Sequence, residues 1–101
     1  MSKKYNVKLT VNDKEIELSD FPQDFLINVA IAAVRSLKGI DEIDTMELYG
    51  DSDNTAIVVN GKRIQTTMFP SQYVTNTIHG LISTLRGVEN IESMDITIKA
   101  I

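Results

Sequence analysis

Few side chains in this chain can do chemistry. His79 is the single histidine and there is no cysteine. Disulfides, thiolate metal sites and a cysteine nucleophile are therefore excluded. No second imidazole or thiolate exists to complete a zinc site around His79. Histidine beside serine and aspartate is the raw material of a hydrolase, but no Gly-x-Ser-x-Gly elbow is present to expose a nucleophile. There is no Gly-x-x-x-x-Gly-Lys phosphate loop and no Gly-x-Gly-x-x-Gly turn. Asp51-Ser52-Asp53-Asn54 alternates carboxylates as calcium loops do, yet lacks the mid-loop glycine and the distal glutamate. The acidic clusters Asp41-Glu42-Asp44 and Glu89–Glu92 read as loop charge, since nothing holds them as a matched acid and base. The chemistry left is binding. Asn28, Asn76 and His79 are the candidate ligand contacts, and neither a metal nor a cofactor is implied.

The elements that position these residues occur twice. Residues 7–50 align without a gap on residues 55–98, at an offset of 48, and identities include Asn12/Asn60, Phe21/Phe69, Pro22/Pro70, Asn28/Asn76 and Gly39/Gly87. Each half opens with a two-residue hairpin turn, Asn12-Asp13 and Asn60-Gly61, whose residues tolerate positive φ. These turns pair Leu9 with Ile16, Val7 with Leu18, Ile57 with Ile64 and Thr55 with Thr66, placing apolar side chains on one face. A helix follows. Pro22 and Pro70 suit its first position, and Phe21 and Phe69 are expected to tuck beneath it. Leu37-Lys38-Gly39-Ile40 and Leu85-Arg86-Gly87-Val88 end it with a left-handed glycine cap. Third strands are expected at 45–49 and 93–100, with Tyr49–Asn54 as a short linker.

The fold class expected is α+β: duplicated ββαβ units, residues 5–50 and 53–101, forming one domain over 1–101. The two units make a pseudo-twofold two-layer sandwich, a six-stranded, largely antiparallel sheet with two helices on one face. Within each unit the helix carries the third strand beside the first, giving the order 2-1-3. A closed barrel is the competing geometry. A chain of 101 residues buries roughly 65% of its unfolded surface, so neither metals nor disulfides are needed.

Composition narrows the function classes. Net charge is −4, with fourteen acids against ten scattered Lys and Arg, so a nucleic-acid partner is not expected. The longest uninterrupted apolar run is Val29–Val34, far short of the roughly 20 residues that span a bilayer. No apolar stretch follows the amino-terminal lysines, so no secretory signal is read. The expectation is a cytoplasmic protein without a membrane partner.

The halves differ most along the helices. The second helix alternates an apolar stripe (Val74, Ile78, Leu81, Ile82, Leu85) with a wet face that includes Thr75 and His79. The first keeps the stripe but carries Ile27 and Ile31 at those wet positions. Either loops and chain ends cover these two isoleucines, or they form a partner surface through which the protein docks or self-associates. Small residues recur four apart, as Asn28, Ala32, Ser36 and as Asn76, Gly80, Thr84. The packing reading is close helix–helix approach; the functional one is a ligand slot.

Val59-Asn60-Gly61-Lys62-Arg63-Ile64, then Phe69-Pro70, then Thr77–Val88 together resemble the carboxy-terminal module of molybdopterin-guanine dinucleotide biosynthesis proteins of the B type. The shared features are the turn, the aromatic before the helix, a Thr-x-x-Gly within it and its glycine end. In the first half Ala32 stands where the helix glycine would be. In that family the nucleotide chemistry belongs to a separate phosphate-loop domain, absent here. The resemblance therefore implies an accessory or docking role near molybdenum-cofactor assembly and not GTP binding. The reading of the chain is a non-enzymatic interaction module; the alternative is a small-ligand sensor with a pocket between the repeats.

Overall fold

The computed structural model describes residues 4–37, 40, 42–51, 54–65, 68–85 and 87–101, with side chains except at 68–71. The elements are β1 (Tyr5–Val11), β2 (Lys14–Ile16), α1 (Asp20–Arg35), β3 (Thr45–Asp51), β4 (Thr55–Val59), β5 (Lys62–Ile64), α2 (Met68–Ile82) and β6 (Ser93–Ala100). All six strands join one antiparallel sheet in the order β2-β1-β6-β3-β4-β5. The fold is α+β, with two helices, and its least dimension is 18 Å, as expected of one sheet under one layer of helices.

Local chemistry explains the hairpins. Asn12, Asp13, Asn60 and Gly61 all have positive φ, at 51°, 66°, 51° and 83°, the backbone that tight two-residue turns require. The registers follow: Leu9 pairs with Ile16, and Ile57 with Ile64. The expected Val7–Leu18 pair is not formed, since β2 ends at Ile16, and Thr66 lies outside the described residues.

The expected strand order is corrected. β1 lies beside β6, not β3, and β4 lies beside β3, not β6. Leu9 pairs with Ile96 and Ile57 with Leu48, while Leu48 and Ile96 pair with each other at the middle of the sheet. Each of these pairs maps onto its counterpart by the 48-residue offset. Two causes are visible. The segment expected as a linker is a hairpin, because β3 runs through to Asp51 and turns directly into β4. The Asp51 amide donates to the Asn54 carbonyl at 3.1 Å, and the Asp51 carboxylate accepts from the Asn54 amide at 2.9 Å. A Cβ at Gly50 would lie 2.0 Å from the Asn54 carbonyl oxygen, so only glycine permits the close approach. Adjacent strands joined by a tight turn pair readily.

The second cause is a pair of asparagine clamps. Asn60 Oδ1 accepts from the amides of Asp44 and Thr45 at 2.8 and 3.1 Å, and its Nδ2 donates to the Glu42 carbonyl at 2.9 Å. Asn12 does the same for the amides of Glu92 and Ser93, at 2.8 and 2.9 Å, and for the Asn90 carbonyl. Each turn thus holds the lead-in to the third strand of the other half, and fixes which strand it receives.

The core lies between the layers. Leu9, Met46, Leu48, Ile57, Ile96 and Ile98 point up from the sheet, and Leu26, Ala30, Val34, Val74, Ile78 and Ile82 point down from the helices. Pro22 is the third residue of α1 rather than the first, still within the turn whose amides have no helical partner. Phe21 does not tuck under the helix; it is 75% exposed. α2 ends at Ile82, short of the expected glycine cap; Gly87 has φ 87° in the turn beyond it, where the Val88 amide donates to the Leu85 carbonyl. Lys38, Gly39 and Arg86 lie outside the described residues, as does the side chain of Phe69. Among the described residues, no helix is long and apolar enough to cross a membrane.

Candidate functional site

Among the described residues, α1 borders open space on two sides. On its outer flank runs an open cleft of about 850 Å³. It is lined by Ile27, Ile31 and Ala32 of α1, by Tyr5 and the exposed Ile101 at the strand ends, and by the polar and charged Lys4, Asp24, Asn28, Arg35 and Glu42. The cleft opens at the sheet end where Tyr5 pairs with Ala100 and Thr45 with Lys99. The Tyr5 hydroxyl donates to the Ile43 carbonyl at 2.9 Å, which ties the strand end to the segment leading into β3. On the other side, Phe21, Pro22 and Phe25 face Leu81 and Leu85 of α2 across a groove of about 260 Å³. Phe25 is 46% exposed and its ring lies 5.8 Å from that of Phe21.

Of the two readings of Ile27 and Ile31, cover by the chain ends agrees with the structure, where Tyr5 and Ile101 lie beside them. Ile27 and Ile31 are each only 7% exposed and do not form a protruding patch. α1 lies over the sheet end so that they turn into the cleft floor, and the exposed apolar surface of the helix is Phe21 and Phe25. Proline-based reasoning hid this, because it placed Phe21 beneath the helix.

Of the three expected ligand contacts, Asn28 lines the cleft, but the cleft takes no residue from α2, so Asn76 and His79 are not part of it. Asn76 is exposed. Thr75 and His79 do not share a wet face. Thr75 is buried at 2% exposure and its hydroxyl donates to that of Thr55 at 2.7 Å. His79 is half-buried, with its Nε2 buried and without a hydrogen-bond partner. Burial holds His79 below the usual imidazole range, against the opposing pull of the Asp51 carboxylate. Gly80 does not serve close helix packing either, since a Cβ there would meet nothing within 4 Å.

On the sheet face away from the helices, Glu47 of β3 and Asp95 of β6 share a hydrogen bond, 48 positions apart in sequence. Burial, that bond and the Asp95 charge raise the Glu47 carboxyl above its ordinary value. No group of three or more His, Cys, Asp or Glu able to hold a metal occurs among the described residues. No family model, curated protein or solved structure matches the chain.

Proposed function

We propose that the protein is a non-enzymatic docking module that meets its partner through α1. The observation that supports this is the state of that helix: exposed Phe21 and Phe25, their rings tilted against each other, on one side and an open cleft on the other. Exposed aromatic surface on a helix that also borders an open cleft is the kind that protein contacts bury. The partner is a protein, or a second copy meeting α1. On this reading the chain is a fused pair of equivalent ββαβ units, acts in the cytoplasm, and serves as an accessory factor, with molybdenum-cofactor assembly as the setting that the second-half resemblance suggests.

A small-ligand sensor is the second reading, favoured by the cleft volume of about 850 Å³, within the range of ligand pockets. Cross-linking separates the two. With p-benzoylphenylalanine in place of Phe25 or Ala32, irradiation of native cells is expected to trap one recurrent protein. The same probe at Lys8, on the opposite sheet face, is expected to trap none. Equal yields at all three positions would overturn the docking reading. If the trapped protein is the chain itself, light scattering after size exclusion should show a dimer that Phe21→Ser with Phe25→Ser disperses.

A further inference from the structure

The two clamp asparagines differ in the residue that follows them. The chain has seven asparagines, and five precede a β-branched residue: Val7, Val29, Thr55, Thr77 and Ile91. The other two are Asn12, before Asp13, and Asn60, before Gly61. The follower matters because its amide nitrogen can attack the asparagine side chain. A β-branched side chain crowds that nitrogen. Glycine leaves it bare and lets the backbone swing into range. There is room at Gly61, since nothing lies within 4 Å of where a Cβ would stand. Asn60 is also exposed to the water that the reaction consumes.

The clamp opposes that attack. Asn60 Oδ1 accepts from the amides of Asp44 and Thr45, Nδ2 donates to the Glu42 carbonyl, and the Asn60 amide donates to the Thr45 carbonyl at 2.8 Å. Attack makes Cγ tetrahedral and expels Nδ2, which is itself one of the clamp donors. A flat carboxamide serving three partners cannot do this in place, so the clamp must open first. The rate is then the open fraction times the rate of the free side chain. Three exposed hydrogen bonds, each at the lower end of the usual range, reduce the open fraction at least about tenfold.

We propose that Asn60 is a deamidation site gated by its own clamp, unreactive while the clamp is made and unable to restore it in full once converted. The Gly61 nitrogen gives its proton to hydroxide and bonds to Asn60 Cγ. The Cγ–Nδ2 bond breaks, and the nitrogen leaves as ammonia with a proton taken from water. Water then opens the five-membered imide at one of its two carbonyls, giving aspartate or isoaspartate. The sum is one water consumed and one ammonia released, with one negative charge added to the net of −4. Aspartate sets an oxygen against the Glu42 carbonyl where Nδ2 donated. Isoaspartate runs the main chain through Cγ, which lengthens the turn by one atom and shortens the arm that carries the carboxylate. Either product loosens the lead-in to β3 and leaves the Asn12 clamp on β6 intact.

The test is incubation of the full chain, labelled with ¹⁵N, in mildly alkaline buffer with and without guanidinium chloride, followed by peptide mapping with mass spectrometry. Conversion is expected at Asn60 and not at Asn12, at least about tenfold more slowly in buffer than in denaturant. Gly61→Ala, compared in denaturant where its folding is immaterial, is expected to slow the reaction. In the converted fraction, separated by anion exchange, amide shifts are expected at Asp44 and Thr45 and not at Glu92 and Ser93. Equal rates in buffer and denaturant would overturn the gating. Conversion at Asn12 as fast as at Asn60, no conversion in denaturant, or a converted fraction with unmoved Asp44 and Thr45 amides would each overturn the proposal.

Discussion

Replacing Asn60 by glycine removes one clamp while keeping a residue that accepts the φ of 51° found there. Three hydrogen bonds go: two from the amides of Asp44 and Thr45, and one to the Glu42 carbonyl. They are exposed, so each contributes near the lower end of the usual range, about 0.5–1 kcal/mol. Glycine returns a few tenths by relieving the left-handed backbone. The expected net loss is about 2 kcal/mol, which for a domain of this length lowers the melting temperature by about 10 °C. Asn12→Gly removes the same three contacts at the other turn and should cost about as much. The two clamps share no partner, so the double variant should lose close to the sum. Urea denaturation followed by circular dichroism measures all three. A loss under about 0.5 kcal/mol for either single variant would refute the argument that these side chains select the strand pairing.

Other expectations follow from burial and charge. Gly80→Ala should stabilise the protein by about 1 kcal/mol, because a Cβ there meets nothing and alanine is the better helix former; a destabilised variant would mean that this face is covered. Ile31→Ala should cost about 2–4 kcal/mol in chemical denaturation, since the side chain is 7% exposed and belongs to the core as well as to the cleft floor. Charged substitutions at Ile27 and Ile31 should unfold the chain rather than merely disperse an oligomer. Glu47→Gln should raise the melting temperature at pH 7. The folded carboxyl is raised above its ordinary value of 4.5, so its favourable contribution is complete below that pH and is lost as pH rises through the folded value. The advantage of the variant should therefore vanish in melts at pH 3.5.

Most of the local structure was legible in the sequence. Asn-Asp and Asn-Gly turns set both hairpin registers, Gly87 has the left-handed backbone its neighbours implied although α2 ends before it, and the apolar stripes of both helices face the sheet. Strand order was not legible, because β1 can pair equally well with β3 or β6 on apolar pattern alone: Leu48 and Ile96 are counterparts and present the same face. The choice lies in Gly50 and in Asn12 and Asn60, residues that read as ordinary turn formers until their side-chain partners are seen. The same gap misled the site reading. Thr75 and His79 look solvent-facing from helical periodicity, but periodicity cannot register a hairpin arriving over that flank. Ile27 and Ile31 were singled out correctly as the difference between the helices, and their burial in a cleft floor depends on the crossing of α1 over the sheet end.

The exchanged pairing, with β6 between β1 and β3, can be tested without any variant. Nuclear Overhauser contacts between the α-protons of opposed strands report it directly. A strong contact between Leu9 and Ile96, with another between Leu48 and Ile57, is the result predicted by the register. Contacts joining Leu9 to residues of β3 in place of β6 would contradict it, and the cleft beside α1 would then lose its basis.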